Sequence, residues 1–284
     1  MTEAHTQDLH RDHALAMRCA EALAREAGKK IEVERMAGFT VRYKRENDPV
    51  TNVDRAVERF LREQLALLFP QDSILGEEFG EDEHQNIERV WMIDPIDGTT
   101  NFSQGIPIYC VSLALQHKGR TVVAVIYDPT RDELFSAMAG GGAWLNGEKI
   151  QVSEQPELSQ SVLATGFPPL KQGDTFESIV ERMGHVVAAS RGMRRLGSAA
   201  LDLAYVAAGR LDGFWEYRLN PWDTAAGYLL VKEAGGKVSL DSGDPYDVYK
   251  KSIVATNGKI HDALLENLAR CLDLAPPSSQ HHSH

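Results

Sequence analysis

Apolar residues recur along this chain with two periods, and the changes between them mark its elements. From Leu9 to Ile31 the chain is rich in Ala, Leu, Glu and Arg at helical spacing, which predicts an amphipathic helix. Glu34 to Thr51 is polar and interrupted by Gly38 and Pro49, so it reads as a strand or loop region. Helical spacing returns from Asn52 to Phe69, and Pro70 stops it. Apolar runs at Ser73 to Leu75, Val90 to Ile93, Cys110 to His117, Thr121 to Asp128 and Leu134 to Ala139 predict strands. Lys118-Gly119-Arg120 makes one turn, and Gly140-Gly141-Gly142 closes the last of these strands.

A second set of elements begins near Val152. Strands are expected at Ser161 to Thr165, Met193 to Leu196, Leu211 to Glu216, Lys237 to Leu240 and Ser252 to Ala255. Helices are expected at Phe176 to Ala189, Ser198 to Ala208, Ala225 to Ala234 and His261 to Leu272. Ser198 is placed to cap the N-terminus of its helix and Gly209 to end it. Strands and helices mix without a regular βαβ repeat, which predicts an α+β layered sandwich rather than a doubly wound sheet. No low-complexity linker separates the two sets, so residues 9–272 read as one catalytic unit, with halves of 9–150 and 151–272. Residues 273–284, ending His281-His282-Ser283-His284, read as a disordered tail outside it.

Composition narrows the classes. No apolar run approaches the roughly 18 residues a membrane span needs, and the charged N-terminus lacks a signal-peptide core, so no membrane partner is expected. Cys19, Cys110 and Cys271 are few, odd in number and far apart, which speaks against structural disulfides and for a reducing cytoplasm. No Cys/His cluster has zinc-ligand spacing. A formal charge of −11 argues against non-specific nucleic-acid binding, and an anionic substrate would need a local concentration of positive charge.

The chemistry concentrates where one strand ends. Asp94-Pro95-Ile96-Asp97-Gly98-Thr99-Thr100-Asn101-Phe102 follows Val90-Trp91-Met92-Ile93, so carboxylates and hydroxyls emerge from a buried strand into a turn feeding a helix start. Two further acidic sites flank apolar segments: Glu77-Glu78 after Ile74-Leu75-Gly76, and Asp223 in Pro221-Trp222-Asp223. Taken singly, these are turn formers or solvated acids. Together they offer the several oxygen ligands a hard cation wants beside a phosphate.

Gly76-Glu77-Glu78, Asp94 to Phe102, and Trp222-Asp223-Thr224-Ala225-Ala226-Gly227, continuing into Glu233-Ala234-Gly235-Gly236, resemble in order the motifs of the inositol monophosphatase family. These are Mg²⁺-dependent, lithium-sensitive sugar phosphatases, and the resemblance covers nearly the whole chain. It implies an α/β/α/β/α five-layered sandwich, shared with fructose-bisphosphatases, and a homodimer. It implies Mg²⁺ held by Glu77, Asp94, the Ile96 carbonyl, Asp97 and Asp223, with Glu77 favoured over Glu78. Thr99 would orient the attacking water with Asp54 of Pro49-Val50-Thr51-Asn52-Val53-Asp54 as its partner, Glu77 assisting. The plainer reading of Asp54 is an N-cap for the following helix. Gly98 and Thr99 would cradle the phosphate through backbone N–H groups.

Substrate contacts implied by the resemblance are Asp97, Gly98, Thr99, Gly197-Ser198-Ala199, Glu216 and Asp223. A carboxylate at Glu216 suits a polyol and equally an amine. The reaction expected is hydrolysis of myo-inositol 1-phosphate by metal-activated water. Histidinol phosphate and, with Arg218 near the pocket, fructose 1,6-bisphosphate are alternatives. Arg194-Arg195, typical of bacterial members, could serve structure or partners instead. Trp222 reads as packing behind Asp223. An alternative of another class is a regulatory partner of the transcription and RNA machinery, against which the intact acids argue.

Overall fold

In a computed structural model, which describes residues 3–45, 48–81, 88–167 and 175–269, two large sheets alternate with three helical layers. The helices in chain order are α1 (Glu3–Ala37), α2 (Asn52–Leu68), α3 (Thr99–Ser103), α4 (Thr175–Ala189), α5 (Ala199–Ala207), α6 (Pro221–Glu233) and α7 (His261–Ala269). The larger sheet has eight strands, ordered Glu148–Ile150, Gly142–Leu145, Glu133–Met138, Arg120–Asp128, Cys110–His117, Arg89–Asp97, Ser73–Gly76 and Gly80–Glu81. Its neighbours are antiparallel except for Ser73–Gly76, which runs parallel to Arg89–Asp97.

Strand alternation sorts the core. Trp91, Ile93, Val111, Leu113, Val123 and Val125 face α1 and α2. Met92, Ala114, Ala124, Ile126, Phe135 and Ala137 face the other way, against α5 and α6. Those two helices are covered again by the five-stranded sheet, ordered Gly192–Arg194, Val162–Thr165, Gly213–Tyr217, Ser252–Thr256 and Lys237–Ser239. A helix buried on both faces needs small apolar residues all round, which explains Ala199, Ala200, Ala204, Ala207, Ala225 and Ala226. The outer face of the five-stranded sheet carries Leu163, Trp215 and Val254 against α4 and α7. The five-layered α/β/α/β/α sandwich follows from these contacts.

Two elements are longer than periodicity suggested. α1 continues through the polar residues Glu34 and Arg35 to Ala37 and stops at Gly38, whose φ is +94°. Exposed charged residues are good helix formers, so polarity did not end it. α6 begins at Pro221 rather than Ala225, with Asn220 as N-cap and Asp223 closing a capping box. A small hairpin, Val41–Arg45 with Asp48–Thr51, occupies the segment read as strand or loop. Among the described residues no helix is long and apolar enough to cross a membrane, and Cys19 and Cys110 are free. The C-terminal tail, Cys271 and the expected end of the last helix at Leu272 lie outside the described residues.

His261 opens α7 fully buried, 2.9 Å from Ser239 Oγ through Nε2 and 2.9 Å from Thr256 Oγ1 through Nδ1. Ser239 donates its own proton to the Leu240 carbonyl at 2.7 Å, so Nε2–H donates to Ser239 and Thr256 donates to Nδ1. Both nitrogens are satisfied by a neutral ring. Burial, with Lys237 adding, pushes its pKa down to about 4 from 6.5. The unfolded chain therefore binds a proton first as pH falls, and the stability present above pH 6.5 is lost down to about pH 4. Urea unfolding of the wild type should weaken more steeply over that window than unfolding of His261→Gln; parallel slopes would refute the assignment.

Candidate active site

Asp94 and Asp97 are three residues apart, a separation that would put them on opposite faces of a regular strand. The pairing shows why they are not. Asp94 lies opposite Ser112 and Asp97 opposite Cys110, so three steps on one strand match two on its neighbour. This bulge turns both carboxylates to the face of Cys110 and Ser112, toward α5 and α6, and leaves Ile96 buried on the α1/α2 side. Asp94 Oδ1 accepts the Ile96 N–H at 2.9 Å, which fixes the kink.

Asp97 and Asp223 are each tied to a helix start. Asp97 Oδ2 accepts from Ser198 Oγ at 2.7 Å and from the Ala200 N–H at 2.6 Å, at the N-terminus of α5 where Ser198 is the N-cap. Asp223, in the first turn of α6, accepts the Asn220 N–H at 2.7 Å. Helix N-termini favour negative charge, so both carboxylates are placed where the backbone supports them.

Asp54 belongs to the same assembly, with one correction. The N-cap of α2 is Thr51, and Asp54 is the third residue of the helix, accepting the Thr51 N–H at 2.8 Å to complete the capping box. Its other oxygen, Oδ1, lies 2.9 Å from Thr99 Oγ1, which is also 3.0 Å from the Ile96 carbonyl. The Thr99–Asp54 pair is thus present, and the capping role coexists with it.

Glu58, one turn after Asp54, was not singled out from sequence. It is fully buried and accepts the N–H groups of Glu78 at 2.7 Å and Phe79 at 3.1 Å, while Arg62 neutralises it at 2.9 Å. It therefore holds the loop that carries Glu77. A Cβ on Gly76 would lie 2.2 Å from Glu58 Oε1, so any larger residue there would push Glu58 off the loop it holds. The available signal was an acid four residues from Asp54 beside the apolar stripe Val53, Val57, Leu61 and Leu65. Lys44 reaches in from the hairpin to Glu77 at 3.0 Å and also bonds Glu78. Burial would lower its pKa, but the two glutamates outweigh this and hold it above the usual lysine value.

Burial raises these acids, and several of them raise one another further. Asp94 is pushed well above its usual range, by burial first and then by Glu77, Asp97, Asp223 and Asp54. Asp223 is raised well above too, by burial and then Asp97. Glu77 is pushed up to about 7 by burial, with Lys44 opposing. Asp97 reaches about 6, raised by burial and restrained by Ser198 and the α5 amides. Among the described residues no three such side chains are already arranged to hold a metal ion. Lys44 ties Glu77, while Asp97 and Asp223 are engaged with helix starts. The donor set nonetheless fits a hard cation, because it is all oxygen, buried and short of positive charge.

Beside the acids is a cavity of 150 Å³ lined by Asp97, Gly197, Ser198, Ala199, Glu216 and Asp223, together with Gly166, Arg195, Asp202 and Leu219. Gly98, at φ +101°, turns the chain into α3 so that Thr99 starts that helix. Burial, with Asp97 adding and Arg195 opposing, pushes Glu216 up to about 8. A Cβ on Gly166 would sit 2.1 Å from Glu216 Oε2, so this glycine gives the glutamate its room. Arg218 is exposed at the strand end and does not line the cavity; Arg195 does. Trp222 likewise stays out of the lining, and its backbone carbonyl accepts from Ser112 Oγ at 3.3 Å.

The model of the inositol monophosphatase family matches residues 13–273. The chain is 46% identical over 247 residues to the Nus factor SuhB of Escherichia coli K12, covering 86% of this chain and 92% of that protein. It is 42% identical over 257 residues to the inositol-1-monophosphatase of Mesorhizobium japonicum, covering 90% and 94%. The solved structure of extragenic suppressor protein suhB from Bartonella henselae superposes with a TM-score of 0.86 at 39% identity, over 90% of this chain and 99% of that one.

Removing the Ser198 hydroxyl deletes both the α5 cap and a donor to Asp97. Ser198→Ala should lower unfolding stability by about 1–2 kcal/mol, the usual range for a lost cap or a hydrogen bond to a charge. Denaturant unfolding reads this directly, and an unchanged midpoint would show that Asp97 is held by the Ala200 amide alone.

Proposed function

The chain belongs to the inositol monophosphatase family, and on that premise we propose that it is a Mg²⁺-dependent phosphomonoesterase hydrolysing inositol 1-phosphate. The observation carrying this reading is the bulge that turns Asp94 and Asp97 toward Asp223 and Glu77 beside a cavity containing Glu216. Glu77, Asp94, the Ile96 carbonyl, Asp97 and Asp223 would hold Mg²⁺. Bound there, the ion supplies positive charge for the phosphoryl and leaving oxygens and lowers the pKa of water.

The chain's own groups perform the rest. Thr99 has one hydroxyl proton and two acceptors in reach, Asp54 Oδ1 and the Ile96 carbonyl. Donating to either leaves its lone pairs free to accept from a water and orient it. Asp54 is held by Thr51 on its other oxygen, so it cannot swing away. The Gly98 and Thr99 amides lie at the start of α3, where phosphate oxygens are favoured. No covalent step is required: burial and Asp97 push the Cys110 thiol well above its usual pKa, keeping it protonated.

A second reading is favoured by the 46% identity to a protein named as a Nus factor: the chain would also serve the transcription machinery as a partner. The two readings separate on Asp94→Asn, which replaces one carboxyl oxygen of the buried cluster without altering the outer surface.

The test is Mg²⁺-dependent phosphate release from inositol 1-phosphate, histidinol phosphate and fructose 1,6-bisphosphate. Inositol 1-phosphate should be preferred, and lithium should inhibit. Thr99→Val and Asp54→Asn should each lower kcat by about 10²-fold or more, while Thr99→Ser stays within about tenfold. Preference for another ester moves the substrate and keeps the site; no release from any ester overturns the enzyme reading.

A further inference from the structure

Asp202 lies one helical turn beyond Ser198 on α5 and is 1% exposed. Its Oδ1 is buried with no hydrogen-bond partner. Glu216 enters the same cavity from strand Gly213–Tyr217, and among the described residues no hydrogen bond reaches it either. Arg195 is the cation among the described lining residues, and it opposes the pKa rise of both acids without bonding to either. Buried polar groups in folded proteins are almost always paired, so an orphaned Asp202 Oδ1 beside a second cavity carboxyl that no described residue bonds marks a place where a ligand supplies donors.

We propose that Asp202 and Glu216 form a two-carboxyl clamp for a vicinal diol on the alcohol half of the substrate, with Asp202 a specificity-determining residue. The clamp rests on the phosphomonoesterase reading and adds to it. One carboxyl is enough for one hydroxyl, and a second beside it matches a neighbouring hydroxyl. Burial raises both acids, Asp202 well above its usual range and Glu216 to about 8. Two carboxyls side by side offer acceptors to two neighbouring hydroxyls, whereas a single ammonium would need only one of them. Gly166 belongs to the same device, since any side chain there would displace Glu216.

The test compares Asp202→Leu and Asp202→Asn with wild type on inositol 1-phosphate and on p-nitrophenyl phosphate, which has no hydroxyls. Asp202→Leu should raise KM for inositol 1-phosphate about tenfold or more with kcat within about threefold, and leave KM for p-nitrophenyl phosphate within about twofold. Asp202→Asn, which keeps the shape and one acceptor, should recover part of the loss. The Leu variant should also have a higher Tm, because it removes an unpaired buried carboxyl. Equal KM changes for both substrates, or none for the inositol ester, would overturn the clamp alone. Equal dependence on Asp202 for histidinol phosphate would overturn its assignment to a diol. A wild type that hydrolyses p-nitrophenyl phosphate but no diol-bearing ester would overturn the clamp and the inositol reading together.

Discussion

One extra residue in one strand sets the chemistry of this molecule. Without the bulge between Asp94 and Asp97, the two carboxylates would point into different layers, one of them into the apolar packing around Trp91 and Ile93. With it, both face the middle helical layer, where α5 and α6 present their N-termini. The position of the site, the identity of its helix caps and the location of its cavity all depend on that local slip in register.

The second dependence is electrostatic. Five acids lie close enough to raise one another's pKa, and each is held by a local device: a capping box for Asp54 and Asp223, a helix start for Asp97, a backbone turn for Asp94, and Lys44 for Glu77. Several of these devices are ordinary helix-forming features. Here the same hydrogen bonds that begin a helix also aim a carboxylate, so folding and site geometry share their stabilising contacts.

The periods of 2 and 3.6 made most strands and helices legible, and the motif spacing exposed the acids themselves. What stayed hidden depends on contacts between distant segments. Periodicity cannot report a bulge, and Pro95 is the one local hint of it. Thr51 outranked Asp54 as the cap because the helix begins one turn earlier than the acid suggests. Glu58 and Asp202 looked like ordinary helix-face acids, since their burial comes from a loop twenty residues away in one case and a second sheet in the other. Sequence placed Arg218 near the pocket, but it stands exposed in a left-handed turn and Arg195 borders the cavity instead, a difference that local pattern does not carry.

The bond from Asp97 to Ser198 and Ala200 joins residues more than a hundred positions apart, 101 and 103 along the chain. Most of the acids come from the first half, yet the donors that seat Asp97 come from the second. A fragment ending after the first sheet would hold nearly the full complement of carboxylates and lack the two helix-start donors that seat Asp97. The site is a seam between the halves, and a nascent chain on the ribosome cannot complete it until α5 and α6 have emerged.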